Sequence, residues 1–173
     1  AGVKTGWVKG NIVRDIKGIH GNGMSFYLGN KDITIQYNCI YDTIRPITYK
    51  GDSKGTASTV NNLKIRYNIA IGSPDSYAAI TSWGGNARNI TLQRNTAIAA
   101  RFGLLLDDSD YYVTANYNRL ATIKISGTKP GNWITSPNIT SSTLANVATM
   151  TLTPTYCSAP GYSGTIVVGS PTA

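Results

Sequence analysis

The sequence predicts an all-β chain that winds into a solenoid of parallel strands. Three observations lead to this fold class: a strand-like segment recurs along the chain, an Asn follows it at a fixed offset, and Gly, Asn, Asp and Ser separate the copies. Repeats of about 20 to 30 residues indicate a stacked architecture, because one such unit cannot bury its own apolar side chains.

The recurring segment alternates apolar with polar residues, which is the pattern of a strand with one buried face. Its clearest copies are residues 32–40, 62–71 and 89–98, with a looser copy at 111–116 and a truncated one at 8–12. The alternating apolar residues are Ile33 and Ile35, Leu63 and Ile65, and Ile90 and Leu92. We expect these side chains to point into the solenoid.

An Asn comes after each copy and is expected to occupy the same corner of every coil. The predicted corner residues are Asn11, Asn38, Asn68, Asn95 and Asn116, at separations of 27, 30, 27 and 21 residues. Stacked Asn side chains can hydrogen-bond to one another and to the backbone, so the spacing predicts an Asn ladder. The alternative is an ordinary β-sandwich in which each Asn marks a separate turn.

A second apolar stretch completes each repeat. These stretches are residues 23–28, 46–50, 79–83 and 103–107. Two or three short strands per repeat, joined by polar corners, describe coils of a solenoid rather than an array of hairpins.

In these features residues 6–127 resemble the right-handed parallel β-helix proteins of the pectate-lyase-like superfamily, which includes polysaccharide lyases, glycoside hydrolases, epimerases and phage tailspikes. Residues 20–27 and 30–38 look like a generic coil of that family. The resemblance implies a right-handed parallel β-helix of about five coils over residues 1–127. Because the chain lacks an initiator Met and enters a coil almost at once, we expect these coils to be a piece of a longer helix.

The composition changes after residue 127. Thr, Ser, Pro and Ala dominate residues 128–173, and Lys129 is the last charged residue. A solenoid must cover its last coil to prevent open-ended strand pairing, so we expect a C-terminal cap or an oligomerisation segment there. In the tailspikes that this chain resembles, the end of the helix leads into trimer contacts, which leaves a homotrimer open.

Charge and composition limit the classes of binding partner that the sequence predicts. The 173 residues fit one folded unit with a net charge of +8, and all eight acidic residues are Asp. Such a surface attracts an acidic polysaccharide, a membrane surface or a nucleic acid. No dense Lys/Arg run or nucleic-acid motif appears, and no apolar run approaches the ~20 residues of a membrane span, so an acidic polysaccharide is the predicted partner. Cys39 and Cys157 lie far apart, and we interpret Cys39 as a small buried thiol.

Outward-facing residues of the second stretches are predicted to form two rows along the solenoid. The rows are Ser25, Thr48, Thr81 and Leu105, and Tyr27, Lys50, Trp83 and Asp107. Neighbours in a row lie about 4.8 Å apart, so a sugar chain along the axis would meet aromatic, basic and acidic groups within about 15 Å. The alternative is a mixed surface that binds nothing.

Two kinds of chemistry are open at these rows. Hydrolysis needs two carboxylates about 5 to 10 Å apart, and Asp107 with Asp110 is the workable pair, unless both belong to a solvated turn. β-Elimination from a uronic acid needs a base and a cation for the substrate carboxylate. The candidates for catalysis are Lys50, Arg45, Asp107 and Asp110, and those for substrate binding are Tyr27, Trp83, Arg101 and His20. The alternative for His20, which its position next to Gly21 favours, is a plain corner residue.

The sequence therefore leaves two functions open. The first is a carbohydrate-active β-helix of the tailspike or depolymerase type, at the cell exterior or on a virion surface, that binds and degrades an acidic polysaccharide. The second is a non-catalytic structural or receptor-binding module of a phage tail fibre or a surface adhesin. No cofactor is predicted, and no clustered Asp set of the kind that holds calcium in pectate lyases stands in the rows, so no metal site is predicted either.

Overall fold

The computed structural model describes residues 4–51 and 59–140. This part of the chain is all-β without a helix, and its strands pair in parallel. They stack as a β-solenoid of about four turns, which confirms the predicted fold class. The sequence predicted about five coils. This number agrees with about four turns, because the five strands of one sheet are separated by four steps along the solenoid axis.

Each of five successive coils gives one strand to each of three sheets, and one further strand extends the second sheet. Sheet A contains β1 (Gly6–Lys9), β4 (Lys31–Gln36), β7 (Asn61–Arg66), β10 (Arg88–Gln93) and β13 (Tyr111–Asn116). Sheet B contains β2 (Ile12–Arg14), β5 (Cys39–Thr43), β8 (Ile69–Gly72), β11 (Thr96–Ile98), β14 (Arg119–Leu120) and β16 (Ile139–Thr140). Sheet C contains β3 (Asn22–Phe26), β6 (Arg45–Lys50), β9 (Ala78–Trp83), β12 (Phe102–Asp107) and β15 (Ile123–Ser126).

The core runs along the inside of the three sheets. The alternating apolar residues of sheet A stack in register, with Leu63 between Ile33 and Ile90, and all three are buried as predicted. Sheet C adds Ile47 and Leu104, among others, to the same cluster. Since burying one such side chain contributes roughly 1.5 to 3 kcal/mol, this continuous column is the main source of stability.

The predicted Asn ladder is confirmed for Asn38, Asn68 and Asn95. The Asn68 Oδ1 accepts hydrogen bonds from the Asn38 amide N–H (3.0 Å) and the Asn38 Nδ2 (2.9 Å). The Asn68 Nδ2 donates onward to the Asn95 Oδ1 (3.0 Å) and to the carbonyl of Ile35 (2.9 Å). Each buried amide is thereby satisfied by the coils on either side, which links successive coils at one corner.

The prediction that Asn116 continues the ladder is wrong, because Asn118 does. The Asn118 Oδ1 accepts from the backbone N–H (2.9 Å) and the Nδ2 (3.0 Å) of Asn95. Asn116 lies on the outer face, where it accepts a hydrogen bond from Gln93 (2.8 Å). Ala115 takes the inward position that Leu92 occupies one coil earlier. Because alanine is small, the sequence pattern did not mark Ala115 as the second inward residue of its strand, and the ladder Asn comes three residues after that position.

The residue before each of the ladder residues Asn11, Asn38, Asn68, Asn95 and Asn118 has a left-handed backbone. Tyr37, Tyr67, Arg94 and Tyr117 have φ between 53° and 56°, and Gly10 has φ of 70°. A side chain in this region costs about 1 kcal/mol, which the ladder offsets by holding the turn between sheets A and B. The ring of Tyr37 also stacks on that of Tyr67, with centroids 5.3 Å apart.

The outer face of sheet B carries a second apolar cluster. It contains Cys39, Ile69, Ile71 and Ile98, all buried, with Tyr41 packed against them. Cys39 is disulfide-bonded, so the interpretation of a free buried thiol is wrong. The alternation of inward and outward residues along a strand predicts the face on which Cys39 lies, but it does not predict whether the sulfur forms a disulfide. Cys157, the other cysteine of the sequence, lies outside the described residues.

The coil pattern continues past residue 127. Trp133 is buried in the core, and β16 pairs with β14. Asn138 forms the next rung of the ladder, its Oδ1 accepting from the Asn118 Nδ2 (3.0 Å). Residues 141–173, which make up most of the predicted cap or oligomerisation segment, lie outside the described residues.

Candidate functional site

A groove of about 350 Å³ lies on the outer face of sheet C. Three residues predicted for the site line it, namely Arg45, Trp83 and Asp107. They come from β6, β9 and β12, which are consecutive strands of the sheet. Stacked coils thus bring together residues that are widely separated in sequence.

Aromatic rings and guanidinium groups form two pairs at this groove. The guanidinium of Arg45 lies over the Trp83 ring, 4.2 Å from its centroid, and that of Arg101 lies 5.3 Å from the centroid of the Tyr77 ring. Tyr77 also packs edge-on against Phe102. Such stacking holds each cation in place and leaves it able to attract an anion.

Both acidic and basic side chains line the groove. Asp107 accepts hydrogen bonds from the hydroxyl (2.5 Å) and backbone N–H (3.1 Å) of Ser109, which fix its carboxylate. Lys124, on β15, is in register with Leu105 on β12 and also lines the groove. Arg45 and Lys124 therefore outnumber the single carboxylate among the lining residues, and the groove favours an anionic ligand.

Asp110 lies behind the groove rather than in it, with 2% of its surface exposed. Its carboxylate accepts hydrogen bonds from Ser82 (2.6 Å), from the backbone N–H of Ala87 (2.9 Å) and from Tyr49 (3.2 Å). Burial, with a smaller contribution from the nearby Asp107, raises the pKa of Asp110 from 3.8 to about 6 against the lowering effect of these hydrogen bonds. Burial likewise raises the pKa of the Tyr49 hydroxyl.

The remaining predicted residues lie outside the groove lining. Lys50 is exposed and in register with Trp83, next to the groove. Arg101 reaches the rim through Tyr77. Tyr27 follows β3 and accepts a hydrogen bond from Asn22, and His20 is exposed in the loop before β3, so neither of them contacts the groove.

Sequence reasoning missed Tyr77 and Lys124. The sequence contained a signal for Lys124, because Lys124 is the next member, one coil further on, of the predicted outward row Ser25, Thr48, Thr81 and Leu105. Tyr77 precedes β9 in a connecting segment, where strand alternation gives no position for a side chain.

The fold and the groove define the class of this protein: a parallel β-solenoid, an architecture that fits carbohydrate-binding and phage-tail-type proteins in general. No protein-family model, curated protein or solved structure matches the chain. Within residues 4–51 and 59–140 no helix is long and apolar enough to cross a membrane. The same residues contain no group of three or more His, Cys, Asp or Glu side chains placed to hold a metal ion.

Proposed function

We propose that the groove on sheet C binds an acidic polysaccharide. The observation that carries the proposal is the pairing of aromatic rings with guanidinium groups at the groove, Trp83 with Arg45 and Tyr77 with Arg101. Sugar rings pack on aromatic faces and edges, while fixed cations attract carboxylates and hydroxyls. The net charge of +8 raises the local concentration of such a ligand.

The arrangement along the axis supports an elongated ligand. Arg45, Trp83, Asp107 and Lys124 lie on four consecutive strands of sheet C. Strands in a sheet are about 4.8 Å apart, so these residues span about 15 Å, the length of a few sugar units. A polysaccharide lying along the solenoid would contact each of them in turn.

Replacing Trp83 with alanine tests this proposal. We expect about tenfold weaker binding of polygalacturonate in affinity electrophoresis, because a partly exposed ring that supports a cation contributes on the order of 1 kcal/mol. Thermal unfolding should change little, since 39% of the Trp83 surface is exposed. Tyr117→Ala removes an exposed aromatic ring at the corner between sheets A and B, and is the matched control. Equal binding by both variants would contradict the proposal, and a large stability loss in Trp83→Ala would make the ring part of the core.

Depolymerisation of the same ligand is the second candidate, as in the pectate-lyase-like and tailspike proteins. The lining contains one carboxylate, that of the half-buried Asp107, while Asp110 is buried behind Ser82, so β-elimination is better supported than hydrolysis. In that reaction Arg45 would neutralise the uronate carboxylate. Lys124, as the neutral amine, would take the proton beside the carboxylate as the bond to the leaving oxygen breaks and a double bond forms, and the leaving oxygen would take a proton from water.

Incubation with polygalacturonate separates the two candidates. A lyase is expected to lower the viscosity and raise the ultraviolet absorbance of unsaturated uronates, and Lys124→Ala should abolish both changes. A viscosity fall without the absorbance change would replace elimination by hydrolysis. Binding without either change would make the chain a non-catalytic receptor-binding module. For either role we propose an extracellular or virion-surface location, and trimer formation is testable by sedimentation.

A further inference from the structure

The outer face of sheet B carries large apolar side chains that are almost closed to solvent. The inward side chains of its middle strands, Ile40, Ala70 and Ala97, belong to the core of the solenoid. Because side chains alternate between the two faces of a strand, the residues next to them point outward. These outward residues are the second apolar cluster described above, Cys39, Ile69, Ile71 and Ile98, and each is only 1% to 3% exposed.

Neighbouring strands cover this cluster only from the sides. Cys39 is in register with Ile69 on the next strand, so their side chains lie next to each other along the face. Such contacts leave the tip of a side chain open, as at Ile12, which is in register with Cys39 on the edge strand and is 38% exposed. Among the described apolar residues outside the cluster, Tyr41 alone packs against it. The burial of these outward side chains therefore calls for a cover from elsewhere.

The disulfide of Cys39 indicates where this cover comes from. Cys39 points outward and is disulfide-bonded, and the sequence contains one other cysteine, Cys157. The last described residue, Thr140, ends β16, and β14, β11 and β8 lie between β16 and the strand of Cys39, β5. A chain that runs from Thr140 to Cys39 along the outer side of sheet B therefore crosses β11 and β8, where the isoleucines of the cluster lie.

Residues 141–157 have the length and the composition for this path. Strands β16 and β5 are four positions apart in the sheet, or about 19 Å, whereas 17 residues of extended chain span up to about 56 Å. The segment contains no charged residue, and its apolar residues include Leu144, Val147, Met150 and Leu152. It can therefore cover an apolar face without removing a charge from water.

We propose that residues 141–157 run back along the outer face of sheet B and cover the second apolar cluster, held there by a disulfide between Cys39 and Cys157 of the same chain. This part of the predicted cap or oligomerisation segment then covers the side of the solenoid, on a different sheet from the groove. Attachment to β16 gives Cys157 a high local concentration at this face, an advantage that a cysteine of a second copy lacks. Disulfides persist in oxidising compartments, in keeping with the proposed extracellular or virion-surface location.

Peptide mapping of the unreduced full chain tests the disulfide. We expect one linked pair of peptides, containing Cys39 and Cys157, from a protein that migrates as a monomer without reductant. A dimer joined through the cysteines of two copies would overturn the proposal by making the second copy the cover. A small thiol bound to Cys39 in place of Cys157 would overturn it as well.

A photo-cross-linking residue on sheet B tests the cover. In Tyr41→p-benzoylphenylalanine, an aromatic ring replaces one that packs against the cluster, and irradiation joins it to a neighbouring C–H group. We expect cross-links to residues 141–157 of the same chain, which mass spectrometry locates after digestion. Ile12→p-benzoylphenylalanine, beside Cys39 on the same face, is the second site should the Tyr41 variant fail to fold.

The matched control places the same residue at Tyr117, which is exposed at the corner between sheets A and B. This variant should give no cross-link to residues 141–157, because the proposed path lies on the outer face of sheet B. Equal yields from sheet B and from this corner would overturn the proposal. Cross-links from sheet B to a second copy alone would overturn it too.

Discussion

Replacing Asn118 with alanine is expected to lower the free energy of unfolding by about 4 kcal/mol. The substitution removes the acceptor for the backbone N–H and Nδ2 of Asn95, and the donor to the carbonyl of Leu92 (2.8 Å). These groups lie inside the solenoid, where each unsatisfied donor or acceptor costs about 1 to 3 kcal/mol. The loss should therefore exceed that of a typical surface substitution several-fold.

Asn116→Ala is the control, since Asn116 lies two residues away in the same coil. It removes one hydrogen bond from Gln93 on the outer face, and we expect a loss of no more than about 1 kcal/mol. Urea unfolding followed by circular dichroism measures both variants. Similar losses for the two would mean that the ladder contributes no more to stability than an outer-face hydrogen bond.

Asp110→Ala is expected to lower the free energy of unfolding by about 3 kcal/mol. It leaves the backbone N–H of Ala87 and the buried hydroxyl of Tyr49 without their acceptor, and so uncouples β6 from the segment after β9. Trp133 should be affected little, because its Nε1 donates to the backbone carbonyl of Asp110 (3.0 Å), which the substitution keeps. A loss below about 1 kcal/mol in the same urea measurement would show that the Asp110 carboxylate does not hold these elements together.

The pH dependence of Asp110→Asn gives an independent test of the buried carboxyl. The pKa of Asp110 is raised from 3.8 to about 6 by burial, so the folded chain holds this proton more tightly than the unfolded chain. The charged form therefore costs the wild type stability above pH 6, and that stability returns as the pH falls from about 6 to about 4. The full effect is about 3 kcal/mol at about 1.4 kcal/mol per pH unit. The Asp110→Asn variant should lack this change, and parallel stability profiles for the two proteins would contradict the assignment.

The sequence by itself determined the architecture. Alternation at Ile33 and Ile35, repeated at Leu63 and Ile65, requires strands with one buried face, and a strand of that kind must stack on its neighbours. The interval of 27 to 30 residues between Asn38, Asn68 and Asn95 sets the length of a coil. The dipeptide Tyr-Asn recurs at residues 37–38, 67–68 and 117–118, and this recurrence also indicates Asn118 as the ladder residue of its coil.

Only the tertiary structure decided which residues meet at the groove and which are buried. Asp107 and Asp110 are three residues apart in one turn, yet one lines the groove and the other is enclosed behind Ser82. Tyr77 reaches the groove from a connecting segment, and Lys124 reaches it from the following coil. Strand alternation determines the face of a side chain within one coil, because the period of a strand is local. The alignment of a side chain with those of the neighbouring coils depends on how the corners of the coils stack. Contacts between residues 20 to 30 positions apart determine this stacking.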